Sequence, residues 1–145
     1  MLTNVPLMIV PLILYNIVVV GFFGTDPVSG GIDQWAEPVL TIPMISSADG
    51  WKMSLGDLMI TFALILLFFE IMKSTRIGAS SIIDHLLSTF VFIAFLVEFL
   101  LVKSAAHSVF FILMVITFVD VIAGFSVSIR SATRDVSVGG PHGGY

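Results

Sequence analysis

Residues 105–129 read AAHSVFFILMVITFVDVIAGFSVSI, and within that run only Asp120 carries a formal charge. A helix crossing a bilayer's ~30 Å hydrocarbon layer needs about 20 mostly apolar residues, so Ala105–Ile129 predicts a membrane span. Three more segments qualify on working outward: Ile82–Val102 across the short link Lys103–Ser104, Leu55–Met72 across Lys73–Ser81, and Val5–Phe23 beyond a polar stretch at 24–54. Short links force antiparallel neighbours. The expected fold is an all-α integral membrane protein of four spans. Residues 1–135 would form one membrane domain, and 136–145 a flexible Gly-rich tail.

Composition agrees. The chain is 57% hydrophobic and 11% charged, with a mean hydropathy of +1.09, whereas soluble domains carry about 25% charged residues. That excludes a soluble globular domain and a disordered chain. A net charge of −4 leaves no basic patch to neutralise phosphates, so no nucleic-acid partner is expected. With no cysteine, disulfides, iron–sulfur clusters and Cys-based zinc sites are out. His85, His107 and His142 lie too far apart for a metal motif, so neither a metal nor another cofactor is expected.

Val5–Phe23 could pass for a signal peptide, but no base precedes it and Gly21-Phe-Phe-Gly24 is a poor cleavage site; it reads as a retained span. Lys73, Arg76, Arg130 and Arg134 fall on one side with the amino terminus, and Lys52 and Lys103 on the other. The positive-inside rule then places both termini in the cytoplasm. The expected membrane is a bacterial inner membrane. Residues 24–54 form an outer interfacial loop in which Asp33 can cap a short helix, Val39–Ile45 lies flat, and Trp35 and Trp51 anchor at the membrane–water boundary.

Among the polar groups, Ser54-Leu-Gly-Asp57 and Ser81-Ile-Ile-Asp84 both match S-x-x-D ahead of an apolar run, the capping-box pattern. Ser104 can cap the fourth span likewise. Folding the second and third spans into a hairpin brings Glu70 level with Asp84 and His85, with Lys73 near enough to pair with Glu70. This is either a surface ion network or a proton entry with His85 as relay. Glu98 shares a helical face with Asp84, Ser88 and Phe95 near the outer end of its span. Asp120 lies about ten residues before Arg130, roughly 15 Å of helix rise, close to the midplane. Depth counting puts Ser88, Thr89 and Asn16 beside it. A carboxyl there must find hydrogen-bond donors or hold its proton. It is either helix cement or an ion site.

No Ser-His-Asp grouping, phosphate loop or haem-clamping pair of histidines falls within one layer of the membrane, and nothing argues for an enzyme. In size and four-span layout the chain resembles the small multidrug exporters and the small subunits of tripartite transporters. The exporters' essential first-span Glu is matched here only by Asn16, so the resemblance implies an architecture and no activity. Two functions remain. One is a non-catalytic accessory or scaffold subunit, partnered by the bilayer and by copies of itself or other membrane subunits. The other is a small proton- or cation-coupled transporter or channel, with Asp120 as coupling acid, Asn16 and Ser88 as its shell, and Glu98 and Glu70–His85 as relays.

Overall fold

The computed structural model describes residues 5–22, 24, 26–29, 32–75 and 79–138, the side chains of 29, 79–82, 128 and 131–138 aside. It is mostly helical: α1 (Ile9–Gly21), α2 (Leu55–Ser74), α3 (Ala79–Leu101) and α4 (Ser108–Val138), with four short strands between α1 and α2. Three stretches, Leu55–Ser74, Ile83–Leu101 and Ser108–Val127, are long and apolar enough to cross a membrane. Their outward faces carry Leu64, Phe68, Phe90, Ile93, Val115 and Phe118. A water-facing surface would not be built this way, and a lipid-facing one would be.

The central helix is α4, which packs against both α2 and α3. Helices α3 and α4 run antiparallel in a register that ring contacts make visible. His85 lies 5.6 Å from Phe125, Phe92 lies 5.3 Å from Phe118, and Phe99 stacks at 6.5 Å on Phe110. Tyr15, Val19, Met59, Ala63, Val91, Phe95, Phe110 and Leu113 form the apolar core.

Three expectations need correction. The first helix is not a full span. It has 13 residues, about 20 Å at ~1.5 Å each, because the chain turns at Pro6–Leu7 before the helix begins. There the Ile9 and Val10 N–H groups donate to Pro6 O and Leu7 O. The fold is also not all-α. Among the described residues, two small antiparallel pairs stand between α1 and α2: β1 (Val28–Ser29) with β2 (Ile32–Asp33), and β3 (Pro38–Met44) with β4 (Ser47–Ser54). Most of Val39–Ile45 falls within β3, where its β-branched and long apolar residues take the pleated form they favour. Opposite Ile42–Met44 the register shifts, and Gly50 on β4 adopts φ +70°. A Cβ there would come within 2.7 Å of Ile42 O, so this bulge requires glycine. Finally, α4 runs on to Val138, past the 136 boundary expected for the tail; residues 139–145 lie outside the described residues.

The caps divide in the same way. Ser54 stands extended at the end of β4, and its side chain accepts from Asp57 N–H while the Asp57 carboxylate accepts from Ser54 N–H, at 3.1 and 3.0 Å. Ser81 and Asp84 instead lie inside α3, which has already begun at Ala79, so they do not open that helix. Ser104 sits in a short 3-10 turn, Lys103–Ala105, and α4 starts only at Ser108. There His107 Nδ1 accepts from Val109 N–H at 3.2 Å.

Candidate functional site

The polar residues that the sequence singles out do not form one chain of relays. They separate into a buried cluster between α2, α3 and α4, and a pair between α1 and α3 nearer the Trp35 end.

Asp120 anchors the cluster at 3% exposure, with Ser88 at 5%, His85 at 5% and Glu70 at 2%. The α3–α4 register sets Ser88 against Asp120, with its hydroxyl beside the carboxyl. Asp120 Oδ2 has no hydrogen-bond partner among the described residues, and neither has Asp84 Oδ1. One turn along α4, Gly124 faces His85; a Cβ on Gly124 would stand 2.5 Å from His85 Nδ1. Glycine therefore lets α4 approach the imidazole. Thr89 and Thr117 turn their hydroxyls to the carbonyls of His85 and Met114, at 2.8 and 2.7 Å. Thr117 thus adds no donor to Asp120.

Glu70 closes the cluster on the α2 side. Its Oε1 pairs with Lys73 Nζ at 2.9 Å. Its Oε2 accepts from Leu7 N–H at 3.0 Å, while Lys73 Nζ donates to Val5 O at 3.1 Å. One ion pair therefore holds both backbone polar groups where the chain enters α1. The Glu70–Lys73 spacing was legible in the sequence, but the hold on Val5 and Leu7, more than 60 residues away, left no local signal.

Asn16 does not reach Asp120. It donates to Leu12 O at 3.0 Å and lies beside Glu98. Together with Leu12, Ile13, Ile17 and Val20 the two line an open groove of about 600 Å³ between α1 and α3. Depth counting assumed a full span from Val5, whereas the 13-residue α1 is seated by the stack of Tyr15 on Trp35, which carries the neighbouring Asn16 past the level of Asp120.

At the opposite end of the bundle from Lys73, Trp35 is not an exposed boundary anchor. It is 1% exposed and stacks on Tyr15 at 4.8 Å with the ring planes 9° apart. Asp33 holds it there. One carboxylate oxygen accepts from Trp35 N–H at 3.0 Å, as the sequence had suggested for an Asp33 cap, and the other meets His107 Nε2 at 3.1 Å. Tyr15 donates to Ser104 O at 2.8 Å. Trp51, by contrast, is 44% exposed on β4.

The close Gly124–His85 approach supports one expectation. Gly124→Ala should displace the imidazole and cost ~1–3 kcal/mol, the range for overpacking a filled site. Thermal unfolding of the purified chain in mild detergent would measure it, and an unchanged midpoint would mean that α3 and α4 have room to spare.

These elements define the class: a helical protein of membrane type, with a buried acid at the centre of its helix packing. No family model matches the chain, and no curated protein or solved structure matches it either, so function has to be argued from the geometry alone.

Proposed function

We propose that the protein is a non-catalytic accessory or scaffold subunit of a bacterial inner membrane, with both termini cytoplasmic, that works by assembling with copies of itself or with other membrane chains. One observation carries this reading, the β3–β4 hairpin. Direct pairing of Leu40 with Met53 and of Ile42 with Trp51 puts these four on one face. Leu40, Ile42 and Trp51 are 50%, 43% and 44% exposed, and Ile45 at the tip is fully exposed. A two-stranded hairpin is marginally stable by itself, and an apolar one with open edges invites a further strand or a covering surface.

The native mass of the complex, extracted gently from its own membrane, tests this. A mass of several chains is expected, and Ile42→Lys with Trp51→Ala should shrink it while leaving helix content unchanged. A single-chain mass, or a complex indifferent to both changes, would sink the proposal. The composition of the complex then separates a homo-oligomer from a subunit of something larger.

A second reading, a small proton- or cation-coupled transporter or channel, is supported by Asp120 Oδ2, which has no hydrogen-bond partner among the described residues. Under that reading an ion-linked flux in proteoliposomes should vanish in Asp120→Asn.

A further inference from the structure

We infer that Asp120 is an exchangeable proton-binding site, loaded from the end of the bundle where Glu70, Lys73, Asp84 and His85 meet. The inference shares its residue with the transport reading but needs no flux to be true. It begins from an imbalance. A carboxylate presents two oxygens and about four acceptor sites, and Asp120 is buried with Ser88 beside its carboxyl and Oδ2 without a hydrogen-bond partner among the described residues. Leaving a bare carboxylate oxygen in an apolar interior is far costlier than adding a proton to it.

The groups facing Asp120 from each packed element decide what could stand in for that proton. From α2 come Glu70 and Lys73, both within electrostatic reach, but they are committed to each other and to the backbone of Val5 and Leu7. From α3 come Ser88 and, one turn away, His85 beside Gly124, with Asp84 next to it in sequence. On α4 the neighbouring hydroxyl of Thr117 is turned to Met114 O. The polar residue of α1, Asn16, lies beside Glu98. A hard metal cation would need about six oxygen ligands, and among the described residues no group of three His, Asp or Glu side chains could hold a metal. A proton needs one oxygen, and Oδ2 provides it. The step is a simple association: the carboxylate takes H⁺ on Oδ2, and Ser88 remains at the carboxyl in either state.

The two sides of the site differ in chemistry, and the inferred route follows the polar one. Along the α3–α4 seam, the next residues on the Lys73 side of Ser88 and Asp120 are His85 and Gly124. The other side is closed by rings, with Phe92 against Phe118 and Phe95 against Phe110 at 5.2 Å.

Infrared difference spectroscopy of the full chain in lipid vesicles, cycled between mildly acidic and mildly alkaline buffer, reads the site without requiring a reagent to reach it. The expected result is a carboxylic-acid C=O band that is lost on alkalinisation and is absent from Asp120→Asn. In Ser88→Ala the band should persist at a different frequency, because its position depends on the hydrogen bond to the carboxyl. The amide band of the same spectra reports whether each variant keeps its helices, and the Ser88→Ala shift assigns the acid even if Asp120→Asn does not fold. No such band, a band indifferent to pH, or a band unmoved by Ser88→Ala would overturn the inference. Loss of the inference would leave the assembly reading untouched, and a titrating band without flux would remove the transport reading alone.

Discussion

Trp35→Ala is expected to destabilise the protein by ~3–5 kcal/mol, the range for truncating a large buried aromatic, whereas Trp51→Ala should change stability by no more than about 0.5 kcal/mol, as ordinary surface substitutions do. The contrast is the point, since these are the chain's only tryptophans. Trp35 is 1% exposed and is held from three directions. Tyr15 of α1 stacks on its face, Asp33 accepts from its backbone N–H, and the His107 ring lies 6.5 Å away. Tyr15 in turn packs edge-on to Phe110 of α4 at 4.7 Å. Removing the indole therefore opens a cavity at the junction of the 24–54 loop, α1 and α4, and takes away the ring on which Tyr15 of the short first helix stacks. Denaturant or SDS titration in mixed micelles, followed by far-UV circular dichroism, would order the two variants. Equal midpoints for both would refute the clamp.

Trp35 also marks where sequence reading stops. The tryptophan preference for membrane boundaries speaks to depth, not to whether the ring points out or in; that depends on Tyr15, twenty residues earlier, and on Phe110, far later in the chain. What was legible was local. The three long spans follow from run length, and the Ser54–Asp57 box from a spacing of three. The same S-x-x-D spacing misled at Ser81, because whether a serine caps a helix depends on what precedes it: the extended end of β4 before Leu55, but helical residues from Ala79 before Ser81. Val39–Ile45 was ambiguous because a short apolar run cannot be assigned to strand or helix by periodicity, and Ile45-Ser46 is not one of the glycine-bearing turns that announce a hairpin. For the site, helix periodicity and hairpin symmetry sufficed to bring Ser88 to Asp120 and Glu70 to His85. They misplaced Asn16, because the seat of α1 is decided by distant partners, Glu70 and Lys73 at its entry and Trp35 against Tyr15, not by α1's own residues.

That dependence makes Lys73→Met the second large effect. Lys73 and Glu70 are one buried ion pair, with side-chain exposures of 15% and 3%. Removing one partner of such a pair costs ~3–5 kcal/mol, mostly because the other charge is stranded. The two halves are not equivalent. Lys73 has some solvent contact and a flexible stem, so in Glu70→Gln it can swing its ammonium outward, and the new amide oxygen can still accept from Leu7 N–H. That variant should lose only about 1–3 kcal/mol, as for one unmet buried group. Glu70 has no such escape, so Lys73→Met should be the worse of the two. The double variant should recover part of the loss, since neither charge is then buried alone and the coupling of touching partners makes their effects non-additive. The same variants should loosen the entry to α1, which rests on the bonds to Val5 O and Leu7 N–H. Limited proteolysis near Val5 should therefore quicken in step with the lost stability. If Glu70→Gln proved the more damaging, or the two losses simply added, the pair would not be the clasp that sets the first helix.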